Sequence, residues 1–340
     1  MVSEKLISAF KTKIEAANTI SIIPHLNPDG DAMGSALGLM HALKNLGKKP
    51  SVIVPTAFPK FLSWLNGVDE IVVFEENEDQ AKSTITESDL LIYLDFNAYK
   101  RVGETMEGFI ANLQLPSIMI DHHPYPDEIA DVMISVTAAS STCELACNVL
   151  KLSGWSQYID SNAAECFYTG IMTDTGSLNY NSSNPDTYRT VADLIEIGID
   201  KDKVHQLLFQ SNSFNRMRLL GYVLSEKVTL IPECKVAYLW LTKEELEKYN
   251  FQPGDTEGFV NYPLSIEGIN ASAFFMEKDE QIKCSFRSQG DFPVNKFSEL
   301  FFNGGGHRNA AGGRSDFDME GSLKRFLSEF PKFYQDFIKA

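Results

Sequence analysis

Residues 19–24, Thr-Ile-Ser-Ile-Ile-Pro, run directly into His25-Leu-Asn-Pro-Asp29-Gly-Asp31, and the residues from Asp31 to Leu46 then repeat apolar side chains at helical spacing. The first run is short, apolar and rich in isoleucine, which suits a strand buried on both faces. Met33, Leu37, Met40, Leu43 and Leu46 recur every three or four residues and mark one helix face, which Gly47 ends. Strand, polar turn and helix in that order open a β-α-β unit.

Working outward, residues 51–54, 71–74, 90–94 and 117–120 are further short apolar runs separated by helix-like segments. The alternation predicts an α/β fold, an N-terminal mostly parallel sheet with helices on both faces. In open sheets of this kind ligands gather at the carboxyl ends of the strands. His25, Asp95 and Asp121-His122-His123 each follow a predicted strand immediately. Asp174 instead follows a helical stretch, residues 162–172, and has to be brought in from the side. Residues 185–227 read as continuously helical, with Asn184-Pro185-Asp186 opening one helix and Gly198 closing it. Strand-like runs return at 228–231, 235–242, 271–275 and 281–288. The expected domains are therefore 1–190, a helical linker over 191–227, and a smaller α+β domain over 228–340.

A chain of 340 residues accommodates two such domains, and 44% apolar with 22% charged residues is ordinary for a globular protein. The N-terminal ten residues lack the apolar core of a signal peptide, and no apolar run reaches the roughly 20 residues of a membrane span, so a cytoplasmic protein is expected. Five cysteines, Cys143, Cys147, Cys166, Cys234 and Cys284, show no paired ligand spacing and suit free thiols. Cys143 and Cys147 stand four apart on a predicted helix, where core packing is favoured over a shared metal. A formal net charge of −16 opposes charge-driven binding to long duplex nucleic acid but not a small phosphorylated ligand at a local site.

In His25-x-x-x-Asp29-x-Asp31 the two carboxylates flank Gly30, whose backbone freedom would let both turn toward one centre. The following helix would offer N–H groups to a phosphate oxygen. Alone, Asp-Gly-Asp also fits a solvated turn. Asp121-His122-His123 alone also fits one surface and one core histidine. Together they make an oxygen-rich, imidazole-containing donor set suited to Mn²⁺, with Mg²⁺ as the other candidate. Two such ions could share a carboxylate and stabilise an in-line phosphoryl displacement. Cations for the substrate are expected from Ser285-Phe286-Arg287-Ser288 and from Gly304-Gly305-Gly306-His307, read as a mobile glycine loop before a small-residue helix. Phe274, Phe275 and Phe286 could stack a base, though core packing is the expected fate of most of them.

The set His25-x-x-x-Asp29-x-Asp31, Asp95 with Arg101-Val102-Gly103, Asp121-His122-His123, Gly170-x-x-x-Asp174-Thr175-Gly176 and Gly304-Gly305-Gly306-His307 resembles the DHH phosphoesterase superfamily with a DHHA1 C-terminal domain. In length the chain most resembles the nanoRNase and pAp phosphatase subgroup, which acts on very short RNA and on 3′-phosphoadenosine 5′-phosphate (pAp). The resemblance implies that His25, Asp29 and Asp95 hold one metal and Asp31, Asp95, His122 and Asp174 the other, with Asp95 bridging. It implies that Asp121 orients a neighbouring ligand and that His123 faces the scissile phosphate. Arg101, Arg287, Ser288, Gly305, Gly306 and His307 would bind substrate. The implied partners are short RNA oligonucleotides and nucleotide phosphates such as pAp, not long duplexes or membranes, with a homodimer left open. Hydrolysis of linear or cyclic dinucleotides, exopolyphosphatase-like activity and non-catalytic nucleotide sensing are the competing readings.

Overall fold

The computed structural model describes residues 2–278 and 281–339; Met1, at the head of the N-terminal stretch read above, lies outside them. The chain divides into two compact units, the first ending at Ser211 and the second beginning at Asn212. The division falls within residues 191–227, the stretch read as a linker.

The first unit contains α1 (Glu4–Ala16), β1 (Thr19–Pro24), α2 (Gly30–Asn45), β2 (Lys49–Val54), β3 (Val72–Val73), α3 (Glu78–Thr86), β4 (Leu90–Leu94), α4 (Glu104–Ile110), β5 (Ser117–Asp121), β6 (Val132–Ser135), α5 (Thr142–Leu152), α6 (Ser161–Asp174), α7 (Pro185–Glu196) and α8 (Lys201–Phe209). Its strands form one parallel sheet in the order β3-β2-β1-β4-β5-β6. Both faces are covered, which is why the strands read as apolar runs rather than alternations. Ile20, Ile22, Ile92, Leu94, Ile118 and Ile120 pack with α1, α2, α5 and α6 on one face. Ile23, Leu91, Tyr93 and Met119 pack with Ile85 of α3 and Met106 and Ile110 of α4 on the other.

The chain order reverses between β1 and β4, where successive connections leave in opposite directions. Such a switch point opens a crevice at the carboxyl edge of the sheet. Pro24 pairs with Leu94 and Leu94 with Ile120, so His25, Asp95 and Asp121 are neighbours along that edge.

The second unit contains α9 (Phe214–Tyr222), β7 (Thr229–Ile231), β8 (Val236–Leu241), α10 (Lys243–Lys248), β9 (Ala271–Lys278), β10 (Gln281–Ser288), α11 (Val294–Phe301), β11 (Gly305–His307), β12 (Ala310–Ser315) and α12 (Met319–Lys339). Its sheet runs β11-β12-β10-β9-β8-β7 and is antiparallel except between β8 and β9. Phe275 and Phe286 pack on Phe297, Phe302, Phe326 and Phe330 of the α11 and α12 side, while Phe274 belongs to the opposite face with Leu239, Leu241 and Leu219. All three candidate stacking aromatics are thus core residues.

The glycine-rich segment departs from the sequence reading. Gly305–His307 is a strand paired with Ala310–Ser315, and the small residues that follow form β12 rather than a helix. Here glycine serves close packing rather than mobility. A Cβ on Gly304 would fall on the Gly312 carbonyl and the Ser298 hydroxyl, and Gly306 holds φ 138°, which disfavours other residues. Strand pairing has overridden the weak local preference of Gly-Gly-Gly and Ala-Ala-Gly-Gly.

Candidate metal centre

Three of the motifs meet at the carboxyl edge of the first unit's sheet because their strands are neighbours. Asp95 is buried and sits at φ 63°, a left-handed conformation uncommon outside glycine. Its N–H still donates to Ile120 O at 3.1 Å, so the sheet holds the turn that aims the carboxylate. Asp95 Oδ2 faces His25 Nε2 at 3.4 Å, and Oδ1 faces His122 Nε2 at 3.6 Å. The two oxygens therefore point into two different clusters.

His25, Asp29 and Asp95 make the first cluster and Asp31, His122 and Asp174 the second; within each, one potential ligand atom per residue lies within 4.8 Å of the others. In the second, His122 Nε2 is 3.7 Å from Asp31 Oδ2 and 3.6 Å from Asp174 Oδ2. His25 Nδ1 is hydrogen-bonded to Leu26 O at 2.8 Å and His122 Nδ1 to Ala139 O at 3.4 Å. A backbone carbonyl on Nδ1 sets the tautomer with its lone pair on Nε2, the nitrogen that faces the carboxylates in both rings. Asp31, Asp95 and His122 are buried, whereas the Asp29 and Asp174 side chains are 49% and 32% exposed and form the open rim.

The helices explain how Asp31 and Asp174 come together. Asp174 is the last residue of α6 rather than a residue beyond it. Gly30, Gly34 and Gly38 on α2 face Thr173, the Cys166 carbonyl and Phe167 of α6, each too close for a Cβ. Gly30 is accordingly required for close approach. It is the first residue of α2, and it has no positive φ, contrary to the flexible turn expected from the sequence. The N–H groups of Asp31 and Ala32 are also not left to a phosphate; both donate to the capping Asp29 Oδ1. Cys143 and Cys147 are buried in the core with α2 and α6.

Several groups at the centre were not found from the sequence. Thr142 and Cys143 donate their N–H groups to Asp31, and the Thr142 hydroxyl donates to Asp95. The only local sign was Ser140-Ser141-Thr142 before an apolar helical run, an ordinary N-cap signature. Asp121, fully buried, accepts from His123 N at 2.9 Å and pairs with His123 Nδ1 at 2.7 Å. Arg101 Nη2 lies 3.2 Å from His123 Nε2. Burial and the neighbouring Asp95 charge push Asp121 up to about 7. Burial opposes the His122 cation, but Asp174, Asp31 and Asp95 outweigh it and raise its pKa to about 9. Burial, Asp95 and Asp174 raise Asp31 well above the ordinary carboxylate range. Burial opposes the Asp95 charge, yet the hydrogen bond from His25 and the charges of His123, His25 and His122 hold its pKa below that range. Carboxylates and imidazoles so concentrated, without thiolates, form a donor set that fits divalent cations of the Mn²⁺ or Mg²⁺ kind.

In the second unit, Arg287 on β10 pairs in register with Ala310, and Ala310 with His307 on β11, so Arg287 and His307 share one row and one sheet face. Arg287 Nη1 donates to the Phe286 carbonyl. Ser288 is buried, its hydroxyl donating to Phe292 O and accepting from Asn309 Nδ2. Gly305 and Gly306 lie opposite Gly312 and Ala311. No helix among the described residues is long and apolar enough to cross a membrane.

Residues 19–171 match the DHH family, N-terminal domain, and residues 233–336 match the DHHA1 domain. The chain is 30% identical over 302 residues to the bifunctional oligoribonuclease and PAP phosphatase NrnA of Bacillus subtilis, covering 88% of this chain and 90% of the relative. It is 30% identical to the protein of the same name from Thermus thermophilus, over 91% of this chain and 88% of that one. A crystal structure of an exopolyphosphatase-related protein from Bacteroides fragilis superposes with a TM-score of 0.94 at 42% identity, covering 98% of both chains.

Proposed function

Because this chain belongs to the DHH family of phosphoesterases, with a DHHA1 domain in its second unit, we propose that it is a two-metal phosphohydrolase that degrades very short RNA to mononucleotides and removes the 3′-phosphate of pAp. The observation that carries this reading is the Asp95 carboxylate, whose two oxygens face two separate His–Asp clusters. The names of the Bacillus and Thermus relatives support the substrates.

In this reading His25, Asp29 and Asp95 hold one ion, and Asp31, Asp95, His122 and Asp174 the other, with Mn²⁺ preferred. Two ions so held lower the pKa of a water nucleophile and stabilise charge on the attacking and leaving oxygens. The protein's own groups do the rest. Backbone carbonyls fix the rings of His25 and His122. Asp121 holds His123 by its Nδ1 and its backbone N–H, and the Arg101 guanidinium beside Nε2 supplies the charged donors on the side assigned to the scissile phosphate. Arg287, Ser288, Gly305, Gly306 and His307 are assigned to substrate phosphate in the second unit, Arg287 by direct charge, His307 by hydrogen bonding and Ser288 by supporting Asn309.

Product analysis tests the reading. Purified protein with Mn²⁺ is offered a short RNA, pAp, a linear dinucleotide, cyclic di-AMP and polyphosphate in parallel, with Asp95→Ala as control. Mononucleotides from RNA and AMP from pAp are expected, and no turnover by the variant. Cleavage confined to dinucleotides or polyphosphate would replace the substrate assignment, and near-normal activity of Asp95→Ala would remove the shared-carboxylate mechanism.

A further inference from the structure

We propose that Thr142 is a positioning residue of the metal centre and that the buried Glu144 sets it in place. This rests on the functional reading above and adds to it groups that the reading does not use. Thr142, the first residue of α5, is completely buried. Its N–H donates to Asp31 Oδ2 at 2.6 Å and its hydroxyl to Asp95 Oδ1 at 2.8 Å. Those two oxygens are the ones that face His122 Nε2, at 3.7 and 3.6 Å. One residue thus grips the inner oxygens of two aspartates that arrive on different elements, α2 and the end of β4.

The physical need is rotational. The terminal torsion of an aspartate is broad, so burial alone does not fix the plane of the carboxylate and hence where its two equivalent oxygens point. Asp31 is fixed by two N–H donors, Thr142 on Oδ2 and Cys143 on Oδ1. For Asp95 the Thr142 hydroxyl supplies a neutral donor that leaves the carboxylate charge intact. Its hydrogen bond holds Oδ1 toward the second cluster and thereby leaves Oδ2 toward the first.

Glu144 lies two residues further along α5, is 2% exposed, and belongs to neither cluster. Its Oε2 accepts from Ser140 N at 2.9 Å, Ser140 Oγ at 2.6 Å and Thr187 Oγ1 at 2.8 Å. Its own N–H donates to the capping Ser141 Oγ. The turn that delivers Thr142 is therefore closed by Glu144, whose carboxylate holds Ser140 and Thr187 of α7 and whose backbone N–H holds Ser141. A carboxylate in such a place is costly unless its hydrogen bonds are made, so the arrangement is held as a unit.

The experiment measures Mn²⁺ binding by titration calorimetry, together with kcat and KM on a short RNA, for Thr142→Val, Thr142→Ser and Glu144→Gln. Valine keeps the shape and the N–H but removes the hydroxyl. Mn²⁺ affinity is expected to fall about 10- to 100-fold, with kcat reduced and KM little changed, as for other groups that orient metal-bound side chains. Serine should restore both. Glu144→Gln should shift both in the same direction by less, and it carries the test if the valine variant does not fold. Wild-type Mn²⁺ affinity in Thr142→Val, or equal impairment in Thr142→Ser, would overturn the proposal. A wild-type protein that takes up no Mn²⁺ would overturn the functional reading beneath it, a distinct result.

Discussion

Replacing Gly34 by alanine should damage both the fold and the candidate metal centre. An alanine Cβ at this position would stand 2.5 Å from the Cys166 carbonyl oxygen, 2.9 Å from Cys143 Sγ and 3.0 Å from Gly170 N. Two of those atoms are backbone, so no rotamer change relieves the contact. Reaching ordinary van der Waals separation requires α2 and α6 to part by roughly 0.9 Å. Overpacking of this kind costs ~1–3 kcal/mol, and contact with backbone places it at the upper end. Alanine recovers about 1 kcal/mol of helix propensity, leaving a net loss of roughly 2 kcal/mol, or about 4–8 °C in Tm. Because α2 carries Asp31 and α6 carries Asp174, the same parting separates two carboxylates that face His122. Displacements near 1 Å can cost about 100-fold in turnover. The assay is thermal melting by circular dichroism alongside kcat on short RNA, with Gly108→Ala as control. Gly108 lies in α4 with nothing near its Cβ position, so alanine there should be neutral or stabilising. A Gly34→Ala protein that melts at or above the wild type, with unchanged kcat, would refute the close-approach argument.

Two further outcomes are expected. Asp89 Oδ2, exposed, accepts hydrogen bonds from Asn18 N, Thr19 N and Thr19 Oγ1, and the backbone bond from Thr19, the largest contribution, lowers its pKa in the folded protein. Its contribution is thus fully present above the unfolded value of about 3.9 and is lost as pH falls through the lower folded value; urea midpoints of Asp89→Asn should trail the wild type at pH 7 and converge in strong acid, and a constant gap at pH 3 would contradict this. Chelation should abolish turnover and Mn²⁺ restore it; because burial and neighbouring carboxylates raise the Asp31 pKa and His122 is raised to about 9, metal uptake near neutral pH should release protons and tighten as pH rises. Calorimetry in buffers of different ionisation enthalpy would show that release, and identical heats across buffers would count against it.

In the first unit the sequence by itself determined most of the element types, because strands covered on both faces must be apolar throughout and α2 must repeat at helical spacing. Residues 19–24, 90–94 and 281–288 are strands at the bounds their apolar runs suggest. It also placed His25, Asp95 and Asp121 each immediately after an apolar run. Only the tertiary structure decided which strands are neighbours. Periodicity reports which face of an element is buried and says nothing of pairing, so the adjacency of β1, β4 and β5 that gathers three motifs was not legible. The glycine seam between α2 and α6 escaped for a related reason: Gly30, Gly34 and Gly38 matter for what a distant helix places against them. The same holds for Thr142, whose hydroxyl acts on an aspartate 47 positions away. At residues 305–315 local composition pointed to a mobile loop and a helix, and long-range pairing with β10 made strands instead, because hydrogen bonds across a sheet outweigh the weak preferences of glycine and alanine.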